Sequence, residues 1–307
     1  MAETLQTGLV RAPQLVRAAQ VAREAEVRQS ANGVRFATYG ETGVAAPDLD
    51  RMLEAVPAAI VASLNANTYY FVPLALRENA DTFEQGGVAR PTVTVPEQAM
   101  VAGEYTDEYS DAAICHRNVE LGSGKRGVFI STRLMGDRFA LSFEFFINVA
   151  HAFVDQAGVP EAFAELAWKQ ALENVRGETS LDAWESRNLA LGRPANAEPE
   201  VFATARRGRG ARPVEAMRSR AFGAVAPMVT AAAVDEKERA LFVESAFSDA
   251  VAIYLLSLAL DFDYSELRER EYPLLAPAAL AARLKVVAEL FPPNAEYEFA
   301  VKYRRRA

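Results

Sequence analysis

The chain carries one cysteine, Cys115, and two histidines, His116 and His151, among 307 residues. A single thiol excludes an internal disulfide framework and points to a reducing compartment. With so few imidazole and thiolate groups, a tetrahedral zinc site would need carboxylates or a second subunit to complete it. No metal and no cofactor is expected. Toward the C-terminal half, the charge-free stretch 250–260 is bracketed by Asp249 and Asp261 and falls well short of the roughly 20 residues that span a bilayer. The opening MAETLQTGLVRAPQLVRAAQ has no charged-then-apolar pattern, so a cytoplasmic protein without a secretory signal or a membrane role is the expectation. Positive charge is scarce overall. A formal net charge of −8 makes the whole chain repel nucleic acid, which is an unlikely partner on this ground.

What the sequence does contain is an ordinary globular composition, 50% hydrophobic and 24% charged, with two kinds of periodicity. Residues 13–31 read as a helix opened by Pro13, 33–40 as a short strand and 47–66 as a second helix opened by Pro47. From Thr68 to Met135 the pattern changes to strands: 68–76, 90–96, 112–121 and 127–135 are β-branched or aromatic runs between turn residues. Gly122-Ser123-Gly124-Lys125-Arg126-Gly127 superficially resembles a phosphate loop. It lacks the first glycine, where Val119 stands, and the Ser or Thr after the lysine, where Arg126 stands, so it reads as a hairpin turn.

Helical spacing follows over 138–157, 160–176, 179–190, 213–232, 235–261 and 276–291. The stretch 192–213, rich in Arg, Gly and Pro, reads as a loop, and 296–306 alternates like a C-terminal strand that could return to the N-terminal sheet. A strand-rich first half (1–136) and a mainly helical second half (137–307) predict an α+β fold, in two regions or one continuous domain.

The helix over 139–155 is apolar almost all round except for Glu144, Asn148, His151 and Asp155. Offsets of 0, 4, 7 and 11 put these on one stripe. Buried polar groups need partners, so the stripe is expected to face a cleft or another polar helix. Glu244, Ser245 and Asp249 are the polar spots on the second apolar helix, and contact between Asp249 or Glu244 and the His151 stripe would satisfy both. Cys115 and His116 are neighbours in a strand and point to opposite faces, so they are not expected to act together.

Ile147-Asn148-Val149-Ala150-His151-Ala152-Phe153 resembles the zinc-binding HExxH helix of zincin metallopeptidases. The run 127–135 lies where that fold places its substrate-binding edge strand. The segment from Glu244 through Asp249 to Ala252 is similar to the E-x-x-x-D helix of the gluzincin branch. The resemblance puts Ile147 at the first histidine ligand, Asn148 at the general-base glutamate and Ser245 at the third ligand, with Glu244 one residue out of register. Only His151 matches. A zincin needs two imidazoles, a third ligand and a carboxylate base; the resemblance therefore implies a degenerate metallopeptidase, a pseudoenzyme with no catalytic residue.

The expected role is a non-catalytic structural or protein-binding component, with a protein partner or self-assembly. Glu144, Asn148, His151, Asp155, Glu244, Ser245 and Asp249 are its candidate binding residues. The alternative is an active hydrolase, metal-dependent or built on His151. A basic stretch over 206–220 is the one hint of an acidic or nucleic-acid partner; no aromatic residue is interleaved among Arg206, Arg207, Arg209, Arg212, Arg218 and Arg220, and a solvated loop and helix start is the simpler reading.

Overall fold

A computed structural model of the chain describes residues 15–77, 99–196, 234–261, 263–264, 272–300 and 302. The expected strand 90–96, helix 213–232, most of the loop 192–213 and the arginines of 206–220 lie outside these residues. Sheets in the N-terminal half and helices in the C-terminal half make the fold α+β. The chain forms two compact units.

The first unit comprises Met1–Gln156 with Leu258–Leu260 and Pro293–Glu298, so it extends past the expected boundary at 136/137. Its elements are β1 (Leu15–Arg17), α1 (Ala18–Glu24), β2 (Arg28–Gln29), β3 (Arg35–Thr38), α2 (Ala46–Glu54), α3 (Ala58–Val61), β4 (Asn67–Val72), β5 (Leu74–Leu76), β6 (Met100–Ala102), α4 (Asp107–Ser110), β7 (Ala113–Ile114), β8 (His116–Gly122), β9 (Lys125–Ser131), α5 (Thr132–Met135) and α6 (Arg138–Ala157). One sheet has the order β1-β6-β5-β7 and is antiparallel; the other has the order β2-β3-β4-β9-β8. In the larger sheet β3, β4 and β9 run parallel, and β2 and β8 are antiparallel edges.

Three sequence expectations are corrected here. Residues 13–31 do not form one helix: after α1 the chain extends so that Arg28 pairs with Phe36 and Gln29 with Arg35. The helix expected over 47–66 is broken at Pro57, which has no N–H to continue it. The carbonyls this break orphans are capped by two asparagines: Asn32 Nδ2 donates to Leu53 O (2.9 Å) and Val56 O (2.7 Å), and Asn294 Nδ2 to Glu54 O (2.8 Å) and Val56 O (2.9 Å). Of the expected C-terminal strand, 296–300 is not strand and Lys302 makes an isolated parallel bridge with Asp263, while Tyr297 Oη donates to Arg51 O at 2.9 Å.

The hairpin expectation stands. Ser123 and Gly124 turn β8 into β9 with positive φ at both (53° and 72°), the two-residue turn geometry that matches strand twist.

The larger sheet buries both faces. On one, Phe145 of α6 meets Tyr69 edge-to-face (centroids 5.1 Å apart) and Phe71 at 5.8 Å. On the other, Tyr70 stacks on Phe129 at 4.6 Å within a core that includes Val21 of α1, Ala75 of β5 and Val101 of β6.

The second unit, Ala157–Ser257 with Asp261–Pro292 and Phe299–Ala307, is helical: α7 (Glu161–Leu172), α8 (Leu181–Ala190), α9 (Glu236–Ala259) and α10 (Pro277–Leu290). Phe163 packs on Phe247 at 4.8 Å and Trp168 on Phe242 at 6.2 Å. Among the described residues α9 alone has the length and apolarity to cross a bilayer, and 83% of its apolar window is buried within the protein, as in a core helix.

Candidate functional site

The polar stripe of α6 lies along the antiparallel edge of the sheet. Edge strand β8 presents His116, whose Nδ1 donates to Glu144 Oε1. Glu144 in turn accepts from Asn148 Nδ2 through its carboxylate (3.1 Å) and its backbone carbonyl (2.8 Å). At the other end Asp155 faces Arg126 of β9 at 3.5 Å, with both side chains about half exposed. The stripe is therefore graded: Asn148 is buried, Glu144 nearly so, and His151 and Asp155 are exposed.

This arrangement departs from the sequence reading in two respects. The strand over 127–131 is interior, flanked by β4 and β8, so the edge is supplied by His116–Gly122 one strand earlier. His116, set aside on sequence grounds, is the residue that meets the stripe. The adjacent Cys115 is exposed; partial burial and then the charge of Glu144 raise its thiol, the opposite of what a nucleophilic thiolate needs.

The other three candidates belong to the second unit, and Asp249 finds its partners there. Glu244 is exposed and Ser245 partly so. Asp249 Oδ2 accepts from Thr179 Oγ1 at 2.8 Å. Burial pushes its carboxyl up to about 6, opposed by hydrogen bonds from Ser180 and Thr179; the Glu178 charge raises it further, and Arg283 lowers it.

The native state thus holds this proton more tightly than the unfolded chain, where the ordinary value is 3.8. The stabilising contribution is full below about pH 4 and is lost as pH rises through about 6. Asp249→Asn is expected to abolish that component, on the order of 1–3 kcal/mol. Urea midpoints of both proteins from about pH 4 to pH 7 check it: the native midpoint falls relative to the variant as pH rises, and a parallel course would refute the assignment.

Next to Asp249 sits a cluster that the sequence reading missed. Glu178 is fully buried in the connection between α7 and α8. Its Oε1 accepts from Arg187 Nη1 of α8 at 2.8 Å, and its two oxygens accept from Arg283 Nη1 and Nη2 of α10 at 2.8 and 3.3 Å. Arg283 Nε donates to Gln170 Oε1 of α7 at 2.8 Å, and Arg187 donates to the carbonyls of Gly177 and Val175. Gly177 has φ +79°, and a Cβ there would come 2.0 Å from Leu274 O; only glycine lets the backbone approach closely enough for the Glu178–Leu274 bridge.

A signal for this cluster was present. Gln170 follows Phe163 and Ala167, Arg187 follows Ala183 and Trp184, and Arg283 sits among Leu280, Leu284 and Val287. Each polar residue occupies a core position of an amphipathic helix.

Of the two polar assemblies, the Glu178 cluster is closed to solvent. Glu178 is inaccessible and its oxygens are committed to arginines, so it cannot reach a substrate. Glu144 is held between His116 and Asn148. Among the described residues no three His, Cys, Asp or Glu side chains gather as a metal site would require. No family model matches this chain, nor does any curated protein or solved structure.

Proposed function

We propose that the chain is a non-catalytic structural or protein-binding component, a zincin-type scaffold whose hydrolytic residues are replaced. The observation that carries this reading is the fate of Asn148. At the position where a zincin has its general base, Asn148 is buried and its amide donates to Glu144, which also takes His116 of the edge strand. Glu144 thereby ties helix to edge strand, and Asn148, where a peptidase would carry its base, is spent on holding Glu144. Ile147, at the place of the first ligand, is an aliphatic side chain half-buried on α6. A cytoplasmic setting suits the lone cysteine.

The test is hydrolysis. Purified full-length protein incubated with mixed fluorogenic peptides, with and without added zinc, is expected to give no turnover above buffer, and His151→Ala to behave identically. Zinc-dependent cleavage that disappears in His151→Ala would sink the reading and establish the alternative of an active hydrolase with a divergent site.

A further inference from the structure

On the sheet face opposite α6 a cavity of about 660 Å³ opens between α1, the start of β3 and the β8–β9 hairpin. Its walls carry Arg17, Arg23, Arg35 and Lys125 against one carboxylate, Glu120. Four cations around one cleft run against the net charge of −8 of the whole chain. Among the described residues, none of the four is within ion-pair distance of a carboxylate. Arg35 is the telling member: it is partly buried, on a strand whose neighbour supplies Thr68 and Tyr70 to the same cavity. A guanidinium withdrawn from water without a counter-charge is costly unless an anion arrives to meet it.

The floor is preformed. Tyr70 is fixed by its stack on Phe129, and Gly127 lets it close up against Leu121, since a Cβ at 127 would lie 3.2 Å from both. Burial raises the Tyr70 phenol and the charge of Arg35 pulls it back.

We propose that this cleft binds a small organic phosphate bearing hydroxyl groups. Guanidinium forks match phosphoryl oxygens in pairs, and Lys125 adds a point charge. The cavity is much larger than a bare phosphate, and Thr68 and Tyr70 place hydroxyl-bearing side chains beside the cations, which favours an organic phosphate with hydroxyl groups over inorganic phosphate. The volume falls in the range of small-molecule pockets, roughly 300–1,000 Å³, and favours a compact ligand over a polymer. The site lies wholly within the first unit and is independent of the hydrolysis question.

Calorimetry on the full chain with ADP, fructose 1,6-bisphosphate and inorganic phosphate tests it. At least one organic probe is expected to bind more tightly than inorganic phosphate, and to weaken as NaCl rises from about 20 to about 200 mM. ADP alone would identify nucleotides as the source, and the bisphosphate alone would identify sugar phosphates. Arg35→Gln is expected to weaken binding about tenfold or more. Arg23→Gln, at an exposed position on α1, is expected to weaken binding with little effect on stability. No binding by either organic probe, inorganic phosphate binding as well as they do, an oligonucleotide outcompeting both, or unchanged affinity in both arginine variants would each overturn the proposal.

Discussion

Glu178→Ala is expected to lower the stability of the second unit by about 3–5 kcal/mol, the cost of removing one partner from a buried ion cluster. Arg283 has no exposed side-chain surface and Arg187 has 4%, so neither can turn to water when the carboxylate is gone. Arg187 already has a buried Nε without a hydrogen-bond partner among the described residues, which leaves it less able to absorb the loss. Glu178→Gln keeps the shape but not the charge and is expected to cost nearly as much. Replacing Glu178, Arg187 and Arg283 together by Leu, Leu and Met should recover most of the loss, because the penalty is that of stranded charges. Urea unfolding followed by far-UV dichroism measures all three. A loss below about 1 kcal/mol for Glu178→Ala would mean that the cluster is reached by water.

Phe145→Ala is the counterpart in the first unit, with an expected loss of about 3–5 kcal/mol. Phe145 is fully buried and lies against Tyr69, Phe71 and Phe146, so its removal opens a cavity at the centre of the helix–sheet contact. Phe143, one turn-face away, is only partly buried and stacks on Phe139 at 6.4 Å; Phe143→Ala is expected to cost less than half as much. Thermal unfolding of the two variants side by side separates them, and equal losses would show that Phe145 is not the anchor. Because Phe145 holds α6 down, its loss should also loosen the hold of Glu144 on His116.

These two sites differ in how legible they were. The apolar face of α6 was plain from its spacing, and its bounds fall at the expected 138–157. Residues 277–290 and 181–190 were equally regular. Strand segmentation was harder, since one apolar run over 68–76 became β4 and β5 in different sheets, divided at Pro73. The alanine-rich run does form α1, but pairing of Arg28 and Gln29 with β3 stops the helix short of the expected residue 31.

The site was half visible for a similar reason. Glu144 and Asn148 announced themselves as polar residues on an apolar helix, but the partner His116 sits 28 positions away on a strand. Glu178 lies in a loop, where a carboxylate draws no notice. Its burial depends on Arg283, 105 positions downstream, and local periodicity carries no information about such a pairing.

That separation has a consequence for biosynthesis. While the chain is being made, Glu178 and Arg187, only nine positions apart, emerge together, but the second guanidinium arrives only once Arg283 has been translated. Glu178 therefore gains its full set of buried partners only after α10 has been made.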